Sequence, residues 1–235
     1  MWDYYYSYKP KKKPQDPIKQ IEKLRKKNPN IQPVIIEGKL ANTWWAQAWN
    51  KNLEGYADYS NRIGRGKSYV RGGYVLDLSI SPGQVQSLVQ GTRAKPYEIV
   101  IKIDPLSKSK WDAVVKKCSR KIGNLEDLVL GKFPQELMEL FTNRGDGLFP
   151  SPKEIHFDCS CPDWASMCKH VAATLYGVGV RFDSDPTLFF QLRDIDFAEL
   201  LKKSVDEKMK SMLKNAGKVT GRVMQDVDTY ELFGV

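Results

Sequence analysis

Three of the chain's four cysteines and one of its two histidines fall within twelve residues. They are Cys159, Cys161, Cys168 and His170, spaced C-x-C-x6-C-x-H. Thiolates and imidazoles are the donors a tetrahedral Zn²⁺ takes, and Cys3His is a standard closed ligand set. Four protein donors leave no position for water, which points to a structural ion and away from a catalytic one. Other chemistries fit the stretch less well. A Cys159–Cys161 disulfide on an extended strand would have to span about 7 Å between Cα atoms, beyond the usual bridge. A thioredoxin-type site wants C-x-x-C, which is absent. A nucleobase deaminase wants H-x-E and P-C-x-x-C; here His156 is followed two on by Asp158, and Cys161 comes before Pro162. His156 reads as a surface or supporting imidazole rather than a ligand.

The flanking pattern supplies elements to hold these donors. Glu154 to Cys159 alternates, with Ile155 and Phe157 set against Glu154, His156 and Asp158, which is the period of a strand. Residues two apart on a strand share a face, so Cys159 and Cys161 both reach one ion. Pro162 has no N–H to donate and ends the ladder. A loop follows, and Met167 onward reads as a helix with Val171, Leu175 and Val178 on one side. Cys168 and His170 do not share a helix face. That places Cys168 at the helix mouth and His170 in the first turn, where the helix dipole favours a thiolate.

The run CSCPDWASMCKHVAATLYGVG, residues 159–179, resembles a SWIM-type zinc finger, whose pattern is C-x-C-x(n)-C-x-H. Ligand order, the short outer spacings, Lys169 before His170 and the small apolar residues after it all agree. The text GLFPSPKEIHFDCSCPDWA and the basic N-terminal half with paired Trp44 and Trp45 are similar to bacterial stand-alone SWIM proteins of comparable length. The resemblance covers most of the chain, with only the finger at motif grade. It implies Cys159, Cys161, Cys168 and His170 as Zn²⁺ ligands, binding to DNA or protein, and company with helicases of the chromatin-remodelling type or transposases. It supplies no catalytic residues.

Charge points the same way. The 235 residues carry 37 Lys and Arg against 28 Asp and Glu, a net +9, which favours polyanionic partners. The 41% apolar content suffices for a core. No apolar run of about 18 residues predicts a membrane span, and the start lacks the order of a signal peptide. Cysteines grouped as ligands, with Cys118 alone, suit a reducing cytoplasm.

Five segments follow from these shifts. Residues 1–17 read as a flexible basic and aromatic arm, in which Tyr4, Tyr5, Tyr6 and Tyr8 beside Lys9, Lys11, Lys12 and Lys13 could grip single strands. Residues 18–147 read as an α+β domain, 148–182 as the finger, 183–216 as a helical extension and 217–235 as a flexible acidic tail. Within the domain, Ile18 to Lys27 reads as a basic helix and Val34 to Ile36 as a strand. A helix runs from Trp44 to about Tyr59, with Trp45, Trp49, Leu53 and Tyr56 as its apolar stripe; Trp44 lies off the stripe as the surface candidate. Tyr69 to Ile80 is expected to be a hairpin through Gly72-Gly73, and Pro82 to Gln90 a short helix. Tyr97 to Ile103 is a strand, and Lys108 to Lys121 a helix with Cys118 inward. Short helices are expected at 125–130 and 134–141. The fold class is α+β: a small mixed sheet with flanking helices, a strand–loop–helix finger and a helical C-terminal part.

Gly66-Lys67-Ser68 matches the end of a phosphate-binding loop, but its first glycine would be residue 61, which is Asn61, and a strand rather than a helix is expected next. Nucleotide hydrolysis is set aside. Arg62, Arg65, Lys67 and Arg71, with no acid among them, remain a phosphate-contact patch alongside Lys11, Lys12 and Lys13. No set of general acid, base and nucleophile meets the usual geometry of an active site. The expectation is a non-enzymatic, zinc-binding DNA-binding protein that works beside a helicase. The alternative is a protein–protein adaptor docking a partner enzyme through the finger and the acidic tail.

Overall fold

Alternation of apolar and polar residues builds one antiparallel sheet in the order β1-β2-β3-β4. Its strands are β1 (Val75–Ser81), β2 (Gln84–Val89), β3 (Tyr97–Ile103) and β4 (Ile155–Cys159). The structure is a computed structural model and describes residues 13–55, 60–121, 138–142 and 147–216. Cross-strand register sets Leu78, Ser87, Ile99 and Cys159 in one row. The first three are buried, and the row ends on a candidate ligand. Val85, Val89, Tyr97, Ile101, Ile103 and Ile155 bury the rest of this face, while Ser79, Gln86, Lys102, His156 and Asp158 line the other in contact with solvent.

The helices are α1 (Pro17–Arg25), α2 (Trp44–Glu54), α3 (Ser60–Arg71), α4 (Lys108–Lys121), α5 (Met138–Thr142), α6 (Lys169–Ser184), α7 (Thr187–Leu192) and α8 (Phe197–Ala216). The centre of the molecule is α6, buried from His170 to Gly179. A helix wrapped on all sides belongs to a core, and its composition allows that. Ala172, Ala173, Gly177 and Gly179 are small enough for neighbours to come close. A Cβ on Gly177 would meet Leu78 Cδ1 at 2.8 Å, and one on Gly179 would meet Asn50 Oδ1 at 2.6 Å. From α2, Trp49 Nε1 donates to Leu175 O (3.0 Å) and Trp45 Nε1 to Phe182 O (2.9 Å). Asp183, near the end of α6, accepts the backbone N–H groups of Asn42 (2.7 Å) and Thr43 (2.9 Å) and so holds the start of α2. Buried rings of Trp49, Phe149, Phe182 and Phe189 pack edge to face beside it.

The class is α+β, as expected, and β3, α4 and β4 lie where the sequence places them. Other elements differ. Residues 60–71 are helix, so Tyr69 to Arg71 are not the first strand of a hairpin. Gly72-Gly73 turn the chain from this helix into β1 rather than between two strands, and Gly66 is there because α3 crosses α6 closely. Residues 61–66, which would have to form the phosphate loop, lie inside the helix, and this excludes the loop in addition to the missing glycine at position 61. The hairpin turns instead at Pro82-Gly83, joining Ser81 to Gln84, with Gly83 at φ +67°. Such a φ suits glycine at the third position of a turn with proline at the second. Residues 84–89 are therefore strand and not helix; Val85, Ser87 and Val89 face inward with period two. Residues 34–36 form no strand of their own. Val34 N–H donates to Val75 O and Leu78 N–H to Gln32 O, so the chain there runs along the free edge of β1. α2 closes at Glu54, with residues 56–59 outside the described part. Trp44 is half-buried, edge-on to Trp45 and Phe141, and is not the surface ring expected.

The arm to residue 12, the helix at 125–130, the start of the helix at 134–141, the side chain of Cys118 and the tail from 217 fall outside the described residues. Among the described residues one charge is fully buried. Arg193, just after α7, donates to Asp104 O (2.9 Å) and to Glu154 Oε1 (3.0 Å). This ties the ends of β3, β4 and α7 together.

Candidate metal centre

Each of the four donors is placed by a different local rule. Cys159 is the last residue of β4 and points inward because Ile155 and Phe157 do. Cys161 follows the end of the ladder, where Pro162 cannot pair. Cys168 is the N-cap of α6: its backbone is extended, at φ −71° and ψ 169°, and its Sγ accepts the N–H of Val171 at 3.5 Å. His170 is the second residue of that helix and is buried. Sequence spacing expects this helix mouth, and the structure has it there.

The four ligand atoms lie within 4.8 Å of one another. His170 Nδ1 is 3.9 Å from both Cys159 Sγ and Cys168 Sγ. Donors about 2.3 Å from a common tetrahedral centre are separated by roughly 3.8 Å, so a small contraction closes the set around an ion. Three soft sulfurs and one imidazole are a metal-binding donor chemistry. Nδ1 is the nitrogen turned to the sulfurs. Nε2 is buried on the far side, and a Cβ on Gly91 would stand 3.3 Å from it. The imidazole is held between Tyr97, at 4.4 Å between ring centres, and Tyr69 at 5.5 Å. These rings fix its plane without adding a donor. The cluster can therefore hold a metal ion.

The thiols are electrostatically unequal. Cys168 is pushed down to about 4 by the hydrogen bond from the Cys159 thiol, with further help from His170 and the Val171 N–H against the opposing effect of burial. Cys159 is pushed up, first by that same contact with Cys168 and then by burial. Burial also raises Cys161. Thiolate character is thus concentrated on Cys168 at the helix N-terminus, as the dipole favours, while Cys159 and Cys161 would need the charge of a bound cation to ionise. His156, the second histidine, is exposed on the outer face of the sheet, with Nε2 3.2 Å from Asp104 Oδ1. It takes no part in the cluster.

The basic candidates are dispersed rather than gathered. Arg62 reaches the loop between Cys161 and Cys168 and pairs with Asp163 at 3.1 Å. Lys67 lies on the opposite edge of α3, paired with Glu54 at 2.9 Å and 5.5 Å over the Tyr176 ring. Arg65 and Arg71 are exposed. Lys13 is exposed before α1, while Lys11 and Lys12 lie outside the described residues. The sequence reading counted no acid among Arg62, Arg65, Lys67 and Arg71, but folding brings Asp163 and Glu54 to two of them. It missed two residues. Lys169 sits 5.3 Å over the Tyr69 ring at the mouth of α6. Trp164, in the loop between ligands, is 80% exposed. Trp164 could have been noticed as an aromatic residue in a short polar loop that belongs to no apolar stripe.

Over 165 residues the chain is 39% identical to the uncharacterized protein Rv2102 of Mycobacterium tuberculosis (strain ATCC 25618 / H37Rv), a match that takes in 70% of this chain. The matched part is 59% of that protein's length. No family model matches the chain. No solved structure matches it. Among the described residues no helix is long and apolar enough to cross a membrane.

Proposed function

We propose that the chain is a zinc-stabilised, non-enzymatic SWIM-type module that binds DNA by phosphate contacts in the cytoplasm, acting beside a helicase. Ligand order and the strand–loop–helix arrangement, with Cys168 as both cap and donor, support the finger. Zn²⁺ is the ion that a closed Cys3His set suits best. Bound there, it would contribute folding energy and no reaction step.

The observation that carries DNA binding is the outer side of α3. That helix, SNRIGRGKSYVR, has four cations and no carboxylate. Its exposed side presents Asn61, Gly64 and Ser68 flanked by Arg65 and Arg71. Small side chains let a phosphate backbone approach closely while the arginines reach its oxygens. The experiment is a fluorescence anisotropy titration of the zinc-loaded chain with labelled duplex and single-stranded oligonucleotides. Two phosphate contacts, from Arg65 and Arg71, predict an affinity that falls roughly 12-fold between about 50 and 200 mM salt. No binding at the lower salt would reject the reading.

A second reading, the protein–protein adaptor, has one observation in its favour. Met209, Met212 and Leu213 on α8 are 54%, 64% and 72% exposed and form an apolar stripe at helical spacing. The acidic tail of that reading lies beyond the described residues.

A further inference from the structure

The finger loop holds one large ring in solvent while burying its neighbours. Trp164 has the greatest exposure of any large apolar side chain among the described residues. On the same loop, Ala165 and Met167 are buried, at 8% and 1% exposure. Asp163 is fixed twice: its carboxylate pairs with Arg62 and accepts the N–H of Ala165 at 3.3 Å. The backbone on both sides of Trp164 is thus anchored, to α3 on one side and to the core on the other. Tryptophan is the largest apolar side chain, and leaving it outside forgoes a large gain in burial.

The loop that carries this ring has its own negative charge neutralised, and cations lie on the neighbouring helices. Asp163 is the one carboxylate between Cys161 and Cys168, and Arg62 neutralises it. Arg65 follows one turn along α3, about 4.5 Å further on the helix axis, and is exposed. Lys169 and Tyr69 stand at the adjoining mouth of α6. An exposed aromatic face beside a run of cations is how unpaired bases are held: the ring stacks on the base and the cations follow the backbone. A base inside a duplex is already stacked on both faces and offers no surface to Trp164.

We infer that Trp164 is a stacking platform for an unpaired base, and that the nucleic acid this module takes is single-stranded, or has a single-stranded segment, at the finger. The inference rests on the nucleic-acid reading above and narrows it.

The test uses the full zinc-loaded chain and a fluorescein-labelled oligothymidylate of about 20 nucleotides, enough to cover a site of this kind, against a duplex of equal length. The wild-type chain should hold the single strand more tightly than the duplex. Trp164→Ala should weaken the single strand by roughly 5- to 150-fold, the worth of one base–aromatic stack, and leave the duplex nearly unchanged. Trp164→Phe should recover most of the loss. Because the ring is exposed, zinc content and far-ultraviolet circular dichroism should match the wild type in both variants. If Trp164→Ala binds the single strand as well as wild type, or if wild type prefers duplex, the stacking role is overturned while DNA binding stands. If neither oligonucleotide binds at low salt, both readings fall.

Discussion

Gly66 of α3 lies against Ala172 of α6 with no room for another atom: a Cβ at position 66 would stand 2.5 Å from the Ala172 Cβ and 3.0 Å from the backbone of Ala172 and Ala173. This crossing joins the basic helix to the core helix one turn beyond Cys168. Gly64, two residues earlier, has nothing within 4 Å of such a Cβ. The two glycines of one helix therefore predict opposite results. Gly66→Ala should destabilise by about 1–3 kcal/mol, the usual cost of overpacking. Gly64→Ala should stabilise by about 0.5–1 kcal/mol through helix propensity. Urea midpoints of the two variants decide it, and equal midpoints would mean α3 does not cross α6 as described.

Metal removal should be felt well beyond the Cys3His cluster. Cys168 caps the helix on which α2, α3 and the sheet all pack. Cys161→Ser should lose the ion, and a strong chelator should do the same to the wild type. Far- and near-ultraviolet circular dichroism are expected to fall together, because helix and core depend on one cap. A Cys161→Ser chain that still carries one metal per molecule by elemental analysis would show the ligand set to be wrong.

Acid should act through Glu154. Burial alone would raise its carboxyl, but the Ser151 N–H and hydroxyl, followed by the Arg193 guanidinium, outweigh burial and hold it at about 2, against an ordinary value of 4.5. With the folded value depressed, the stabilisation is present above about pH 4.5 and drains away as pH falls towards 2. Glu154→Gln should remove this pH dependence and cost about 3 kcal/mol at neutral pH, since the buried Arg193 loses its counter-charge. Denaturant midpoints of the two proteins from pH 6 down to about pH 2.5, just above the depressed value, give the comparison; parallel curves would defeat the claim.

On α3, Arg65→Ala with Arg71→Ala should reduce the salt slope of DNA binding by about 2, close to 0.9 per phosphate contact, and should do so alike for every sequence. Arg62→Ala is a different experiment, because it also frees Asp163 and the loop that carries Trp164. Loss at one sequence alone would indicate base reading rather than phosphate contact.

What could be read before folding was whatever local spacing dictates. The position of Cys168 at the mouth of α6 follows from C-x-H and the small residues behind it. β3 and β4 follow from alternation. What could not be read depends on crossings distant in sequence. Gly66 looks like part of a phosphate loop until Ala172 is brought beside it. Lys67 looks like an unopposed charge until Glu54 arrives. Val85, Ser87 and Val89 look ambiguous over six residues, and only the Pro82-Gly83 turn and its partners make them a strand. The aromatic stripe of α2 was legible, yet Trp44 was assigned to the surface because Phe141, nearly a hundred residues on, covers it.

The place of α6 along the chain bears on how the protein is made. Most of what leans on this helix, α2, α3 and the four strands, leaves the ribosome before residue 184 does, a delay on the order of ten seconds for α2 at ordinary translation speed. During that interval the inner side of the sheet and the indole rings have nothing to rest on. If the Cys3His cluster holds an ion as proposed, its scarcity would prolong this exposed period and should show up first as insoluble newly made chains.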